Sequence, residues 1–254
     1  MFFSIVLIAI ENDKIKLEMG KLILIRHGKS IWNVENIFTG WTDVDLAPQG
    51  IAEAKMAGEM IKGHNVNIDI CFSSYLKRAI KTASIIMETA DITHIDFIKS
   101  WKLNERHYGA WQGQHKDEVK REVGEDLFWK VRRGYNDAAP ALSINDKRYP
   151  KFDYKYQNLK SSDIPVTESL KDTKQRAVQY YFETIVPQLV IGKTVLVSAH
   201  GNSIRALMTE ILDIPATEIS KVEVQTGVLN IYDFDSTMVL KEHYKLKREV
   251  ELVM

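Results

Sequence analysis

Short apolar runs typical of buried strands alternate along this chain with amphipathic stretches at helical spacing. The predicted strands are 21–25, 68–72, 95–98, 194–198 and 227–234. The predicted helices are 48–61, which begins at a proline suited to a first helical turn, 75–87 with Ser74 as its cap, 169–190 and 203–212. This alternation predicts an α/β fold, a three-layer α/β/α sandwich with a mostly parallel central sheet.

The middle of the chain departs from this alternation. Residues 113–167 are charged, aromatic and interrupted by prolines, and only short helices are predicted there, at 116–123 and 125–133. We interpret this segment as a lid-like insertion over the sheet rather than a second sheet domain.

The first nineteen residues also differ from the rest. Residues 1–10 are almost wholly apolar, yet this run is too short to span a bilayer and no basic residue precedes it. We interpret 1–19 as a non-essential N-terminal extension and 20–254 as a single domain, and we expect the protein in the cytoplasm.

Composition narrows the classes of ligand. The 34 basic and 34 acidic side chains cancel, so net charge provides no attraction to nucleic acid or to a membrane surface. A single cysteine, Cys71, excludes an intramolecular disulfide and a thiolate zinc site, and the histidines lack metal-site spacing. We expect no nucleic-acid, membrane or metal partner, and any anion site must be local.

Two predicted strands end in the same way. The strand at 21–25 runs into Arg26-His27-Gly28, and the strand at 194–198 runs into Ala199-His200-Gly201. Open α/β sheets bind ligands at the carboxyl ends of their strands. Both imidazoles are therefore expected to act on one substrate.

The residues around His27 suit phosphoryl chemistry. A neutral imidazole can attack phosphorus when cations neutralise the phosphoryl oxygens, and Arg26 and Arg78 are the candidates. Gly28 would let the backbone approach the phosphate. The neutral hydrogen-bond donors expected nearby are Ser30 and Asn33.

A phosphoryl transfer also needs a group that manages the proton of the hydroxyl. Glu105 is the best candidate, because it follows a predicted strand and lies in a cluster with Arg106, His107 and Tyr108. His200 would stabilise the equatorial oxygens of the transferring phosphoryl group. Together these residues predict a phosphohistidine site.

Six motifs in chain order carry a family resemblance. They are Arg26-His27-Gly28 with Trp32-Asn33, Phe38-Thr39-Gly40-Trp41, Leu76-Lys77-Arg78-Ala79-Ile80, Leu103-Asn104-Glu105-Arg106-His107-Tyr108-Gly109, Glu168-Ser169-Leu170 and Ala199-His200-Gly201-Asn202-Ser203. They resemble the cofactor-dependent phosphoglycerate mutases of the histidine phosphatase superfamily. The resemblance implies an isomerase of glycolysis and gluconeogenesis that interconverts 2-phosphoglycerate and 3-phosphoglycerate, with 2,3-bisphosphoglycerate as primer and no metal.

The resemblance also implies residue roles. His27 would be the phosphorylated nucleophile, Glu105 the proton donor and acceptor, and His200 the group that stabilises the transition state. The residues implied around the transferring phosphoryl group are Arg26, Gly28, Ser30, Asn33, Arg78, Gly201 and Asn202. Lys29, beside the nucleophile, is expected to help hold phosphate through its own positive charge. Those implied for the glycerate carboxylate and the second phosphate are Thr39, Gly40, Arg106, His107, Tyr108, Lys116, Arg132 and Arg133.

Three positions depart from the family pattern. Lys29 stands where the family usually has Glu or Gln, Gln225 stands where it commonly has Pro, and Trp111 replaces a typically smaller aliphatic residue. Two other functions therefore stay open: a phosphatase of the same superfamily acting on a sugar bisphosphate or other phosphoester, and a phospholigand-binding protein in which Lys29 has disabled turnover. The resemblance further implies a homodimer or homotetramer. The insertion, with the polar tail after Asp235, is expected to close over the pocket.

Overall fold

The structure is a computed structural model that describes residues 20–247, so the predicted extension at 1–19 lies outside the described residues. Within that range one sheet contains β1 (Lys21–Arg26), β2 (Ile70–Ser73), β3 (Asp96–Lys99), β4 (Thr194–Ala199), β5 (Leu229–Phe234) and β6 (Leu240–Leu246). The spatial order is β3-β2-β4-β1-β5-β6. The first four strands in that order are mutually parallel, and β5 and β6 are antiparallel additions.

Helices cover both faces of this sheet. The helices of the described chain are α1 (Ile31–Val34), α2 (Pro48–Gly63), α3 (Lys77–Thr89), α4 (Lys116–Val123), α5 (Glu125–Arg133), α6 (Leu170–Tyr180), α7 (Val186–Val190) and α8 (Gly201–Ile211). Alternate residues of β1 point to opposite faces, so Leu22 and Leu24 pack with α6 and α8 while Ile23 and Ile25 pack with α2 and α3. The predicted three-layer α/β fold is confirmed.

The predicted helix over 169–190 is interrupted. A wider π-helical turn at Tyr181–Ile185 separates α6 from α7. Pro187, in the first turn of α7, has no N–H to donate to the preceding turn, which accounts for the break in regular α-helical bonding.

The polar tail forms a strand that the sequence pattern did not indicate. β6 pairs with β5 in antiparallel register at the edge of the sheet, and its side chains are largely exposed or half-buried. None of residues 235–247 lines the cavity at the carboxyl ends of β1 and β4, which corrects the expectation that this part of the tail closes over the pocket.

The middle segment packs against the loop that follows α1. Its helices α4 and α5 have the predicted bounds. They enclose a small apolar cluster in which Phe38 and Trp111 meet Val119, Phe128 and Val131. This cluster fixes both helices beside the carboxyl ends of β1 and β4. Among residues 20–247, none of the helices has the length and apolar character needed to cross a membrane.

Candidate active site

A cavity of about 250 Å³ lies at the carboxyl ends of β1 and β4. Among residues 20–247, six cationic and two acidic side chains line its wall. The cations are Arg26, Arg78, Lys116, Arg132, Arg133 and Arg205, and the acids are Glu105 and Glu223. An excess of positive charge in a concave, partly desolvated site favours a small ligand with several negative charges.

His27 lies on the cavity wall directly after β1, and its side chain is nearly fully buried. Its Nδ1 lies 2.7 Å from the carbonyl oxygen of Gly28. A carbonyl can only accept, so the proton resides on Nδ1 and the electron pair on Nε2. Burial, with the charges of Arg78 and Arg26, holds the pKa of His27 well below its ordinary value. The ring is neutral at pH 7, and its nucleophilic atom is Nε2.

His200 meets His27 across the β1–β4 pairing. The ring centroids are 4.9 Å apart at an interplanar angle of 61°. The His200 ring is fully buried and does not line the cavity, and its Nδ1 has no hydrogen-bond partner among the described residues. Burial, followed by the charge of Arg78, holds its pKa well below the ordinary value. It is therefore a neutral ring that can interact with groups attached to His27.

Ser74 has a different role from the predicted one. Helix α3 begins at Lys77 with Leu76 as its N-cap, so Ser74 is not the helix cap. The Oγ of Ser74 accepts a hydrogen bond from the backbone N–H of Leu76 and lies 2.7 Å from Nε2 of His200. This buried contact orients the second histidine.

Glu105 presents its carboxylate asymmetrically. Within residues 20–247, the hydrogen bonds to this carboxylate all reach Oε1: the backbone N–H of Arg106 at 2.8 Å, and the backbone N–H and Nδ2 of Asn202 at 3.0 and 2.9 Å. A Cβ built on Gly201 would lie 3.7 Å from Oε2 and 3.6 Å from Nε of Arg26. Oε2 is therefore the oxygen available to exchange a proton.

A buried ion pair fixes the backbone that carries Glu105. Arg176 donates from Nη2 to the carbonyl oxygen of Glu105 at 2.9 Å, and from Nε and Nη2 to the carboxylate of Glu168 at 2.6 and 2.8 Å. Trp41 donates from Nε1 to the same Glu105 carbonyl. Neither Arg176 nor Glu168 lines the cavity, so their contribution is to hold the proton-transfer group in place.

Arg78 connects the nucleophile to the loop at 38–42. Its guanidinium donates to the carbonyl oxygens of Thr42 and Gly40 at 2.9 and 2.8 Å, and its Nε donates to Nε2 of His27. Burial lowers the pKa of Arg78 to about 10, so it remains charged at pH 7. Gly40 has a left-handed φ of 53°, and a Cβ there would come within 2.0 Å of Oε1 of Gln112. A glycine is required at that position.

Most residues expected from the sequence lie on the cavity wall. Besides those already placed there, they are Asn33, Thr39, Gly40, Tyr108, Gly201 and Asn202. The buried Oγ1 of Thr39 and Nε of Arg26 have no hydrogen-bond partner among the described residues. Burial, with the charges of Arg132 and Arg26, lowers the pKa of Lys116 to about 8. These unpaired donors and crowded cations fit a ligand with two phosphates and a carboxylate, such as 2,3-bisphosphoglycerate.

Besides His200, three residues expected at the phosphoryl group do not line the cavity. Gly28 touches the start of α2: a Cβ on it would lie 2.2 Å from the carbonyl oxygen of Gly50, so helix packing requires this glycine. Ser30 is fully buried and caps α1. Lys29 is half-buried, and its backbone N–H donates to Glu53.

Arg106 and His107 also lie behind the cavity wall. Arg106 is fully buried and donates to the hydroxyl of Tyr108 and the carbonyl oxygen of Arg132, both at 3.0 Å. His107 is fully buried, and its Nδ1 accepts from the backbone N–H of Gly109. Burial lowers the pKa of His107 to about 3. Both residues support the wall rather than face the ligand.

The wall also contains residues that the sequence analysis did not select. Arg205 and Glu223 are polar examples, and Glu223 pairs with Arg133 at 3.3 Å. Gln225, noted from the sequence only as a departure from the family pattern, also lines the wall. Arg205 follows Asn202 by three residues on a helix, so the two share a face. That spacing is a signal from which Arg205 could have been found.

Comparisons with known proteins agree with this geometry. The sequence model of the histidine phosphatase superfamily (branch 1) matches residues 22–144 and 140–245. This chain belongs to the histidine phosphatase superfamily. The 2,3-bisphosphoglycerate-dependent phosphoglycerate mutase of Nautilia profundicola is 52% identical to it, over 90% of this chain and 100% of that protein. The Treponema denticola protein of the same name is 46% identical, over 88% and 91%. The phosphoglycerate mutase family expected from the motifs is confirmed.

Two solved structures share the fold. Bacillus stearothermophilus YhfR superposes with a TM-score of 0.68 at 24% identity, covering 87% of this chain and 94% of that one. Phosphoserine phosphatase of Entamoeba histolytica, solved with 3-phosphoglyceric acid, gives a TM-score of 0.62 at 24% identity, covering 88% and 95%. These likenesses show a shared arrangement of sheet and helices.

Proposed function

We propose that this chain is a 2,3-bisphosphoglycerate-dependent phosphoglycerate mutase, an isomerase of glycolysis and gluconeogenesis that interconverts 2-phosphoglycerate and 3-phosphoglycerate. The observation that carries the proposal is the unprotonated Nε2 of His27, which lies in a cavity lined by more cations than the two arginines beside that histidine. A phosphatase needs to hold one phosphate, whereas a mutase must hold two anionic ends while the phosphoryl group is exchanged. Relatives of that name, 45–52% identical over most of the chain, support the same reaction.

The phosphoryl group is carried by Nε2 of His27. 2,3-Bisphosphoglycerate supplies the phosphoryl group that primes this nitrogen. In the forward half, the free hydroxyl of a phosphoglycerate attacks phosphorus, the P–N bond breaks as the P–O bond forms, and Oε2 of Glu105 accepts the hydroxyl proton. In the return half, Nε2 attacks the other phosphoryl group, and Glu105 gives its proton to the departing oxygen. Atoms and charge balance over the cycle, and the product is the positional isomer.

Charge on the transferring group is stabilised by fixed donors. Arg78 and Arg26 lie beside His27, and their charges act directly on that ring. His200, held through Ser74, presents a neutral ring 4.9 Å from the nucleophile. Donors positioned before reaction stabilise developing charge without reorganising. Arg78 exchanges its contact with Nε2 for the phosphoryl oxygens.

The second anionic end is assigned to the cations of the middle segment. Lys116 begins α4, and Arg132 and Arg133 end α5. Because these helices pack on Phe38, they keep their charges beside the loop that carries Thr39. Enclosure by this segment favours transfer to a hydroxyl over transfer to water.

The family resemblance supports two wider proposals. We propose a homodimer or homotetramer, which light scattering coupled to gel filtration would test. We also propose a cytoplasmic location, as expected for an enzyme acting on free phosphoglycerate.

One assay tests the reaction. Purified protein should convert 3-phosphoglycerate to 2-phosphoglycerate only when a trace of 2,3-bisphosphoglycerate is added, and a metal chelator should leave the rate unchanged. Release of inorganic phosphate at the rate of substrate loss, with no 2-phosphoglycerate, would instead identify a phosphatase. Binding without either product would identify a phospholigand-binding protein.

A further inference from the structure

Arg205 is a buried cation whose contacts lead toward the proton-transfer group. Its Nε donates to the carbonyl oxygen of Val222 at 2.9 Å, and its Nη1 donates to Oδ1 of Asn202 at 2.9 Å. Its side chain is only 6% exposed. Helix α8 places Arg205 one turn after Asn202, so the guanidinium and the amide meet on one helix face.

The amide of Asn202 uses both of its ends. Its Oδ1 accepts from Arg205, while its Nδ2 donates to Oε1 of Glu105 at 2.9 Å and to the hydroxyl of Tyr108 at 3.1 Å. Rotating the amide by half a turn would bring Oδ1 against the Glu105 carboxylate and Nδ2 against the guanidinium. Both new contacts are repulsive, so the cation selects one orientation of the amide.

We propose that Arg205 is a positioning residue for proton transfer. By orienting the amide of Asn202, it adds a third donor to Oε1 of Glu105, beside the backbone N–H groups of Arg106 and Asn202. Oε2 is left to exchange the proton with the substrate hydroxyl. This inference rests on the proposed mutase reaction. Oε2 takes the proton as the P–N bond at His27 breaks and the new P–O bond forms, and it returns the proton in the reverse half.

A rival role for Arg205 is direct contact with the ligand, because its side chain also reaches the cavity wall. The two roles predict different kinetics. A residue that binds the ligand equally in ground and transition states changes KM, whereas a residue that acts through Glu105 changes kcat. The positioning effect must also vanish when Glu105 can no longer transfer a proton.

The experiment is a double-mutant cycle of Arg205→Gln and Glu105→Gln, with kcat and KM measured for 3-phosphoglycerate. In the wild-type background, Arg205→Gln is expected to lower kcat about tenfold and to change KM less than about twofold. In the Glu105→Gln background, the same change is expected to lower kcat less than about twofold. Arg121→Gln is the matched control, because Arg121 is exposed and, within residues 20–247, its guanidinium bonds only to a backbone carbonyl of its own helix.

Three results would overturn the proposal: a rise in KM at constant kcat, equal losses in both backgrounds, or wild-type kcat for Arg205→Gln. Thermal unfolding checks that each variant is folded. If Arg205→Gln does not fold, Asn202→Ala provides the same test, because it removes the amide and keeps Arg205. Asn202→Ala should lower kcat in the background that has Glu105, and not in the Glu105→Gln background. If the wild-type chain shows no mutase turnover, the proposed function itself is wrong. If the wild type is active and the kcat losses of Arg205→Gln and Glu105→Gln multiply in the double variant, only this inference is wrong.

Discussion

Nε of Arg78 donates a hydrogen bond to Nε2 of His27 across 3.3 Å, so a cation occupies the electron pair of the nucleophile before any phosphoryl group arrives. The same guanidinium is anchored by the carbonyl oxygens of Gly40 and Thr42. Burial is the main reason that the pKa of His27 is low, and the charge of this arginine lowers it further. The same charge stands where phosphoryl oxygens need a positive partner.

The first prediction concerns the phosphorylated atom. His27→Ala should abolish acid-labile labelling of the protein by 2,3-bisphosphoglycerate carrying radioactive phosphorus, because no other ring nitrogen of the described chain lies on the cavity wall. Glu105→Gln should still be labelled, because the variant lacks only the proton-transfer group. Its kcat should be lower than that of the wild type by about 100-fold or more. Label retained in the His27→Ala protein would move the nucleophile elsewhere.

The second prediction concerns Lys116, whose pKa of about 8 lies within the range of ordinary assays. As pH rises through 8 the free enzyme loses this charge, so the Kd of 3-phosphoglycerate should rise between pH 7.5 and 9, by up to about tenfold per pH unit. Lys116→Arg keeps its charge and should give a flat profile over that range. Calorimetric titration measures both proteins, and identical slopes would exclude the role of Lys116.

The third prediction concerns stability in acid. The pKa of His107 is about 3 in the folded chain and about 6.5 when unfolded, so below pH 6.5 the unfolded chain binds the extra proton. Stability therefore falls with decreasing pH, and His107 contributes up to about 1.4 kcal/mol per pH unit between pH 6.5 and 3.

Urea unfolding at pH 5 to 7 measures this slope. His107→Gln should show a smaller fall in the free energy of unfolding than the wild type, by about the contribution of one proton. His27 and His200, also buried with lowered pKa values, should provide the slope that remains. An unchanged slope in the variant would mean that His107 takes up its proton without unfolding.

The fourth prediction concerns the departure at Lys29. Its side chain does not line the cavity, and the charges that lower the pKa of His27 come from Arg78 and Arg26. Lys29→Glu should therefore change kcat and KM for 3-phosphoglycerate by less than about twofold. A gain of turnover above about tenfold would instead support the view that Lys29 suppresses catalysis.

The helices and strands with regular apolar spacing were predictable from sequence, because that spacing shows which side chains each element buries. The strand ends at His27 and His200 follow from short apolar runs, and the bounds of α4 and α5 follow from charged helical patterns. β6 was missed because an edge strand with mostly exposed side chains lacks an apolar face to signal it.

The direction in which a loop side chain points was not predictable. Tyr108 lines the cavity, while Arg106 and His107, the two residues that precede it, lie behind the cavity wall. Motif membership is the same for these residues, and only the packing of the surrounding loops separates them. Ser74 shows the same limit: a serine before a helix suggests a cap, but its hydroxyl is paired with a histidine 126 residues away.

Gly28 and Gly50 place the main chain of the nucleophile loop directly against the first turn of α2. A contact between two backbone segments has no side-chain rotamer through which it could adjust. The position of α2 therefore determines the position of the reacting nitrogen of His27. A methyl group added at Gly50, which is outside the cavity, would displace the loop that carries His27. Such a substitution would cause a loss of activity like that of an active-site mutation, although it removes no functional group.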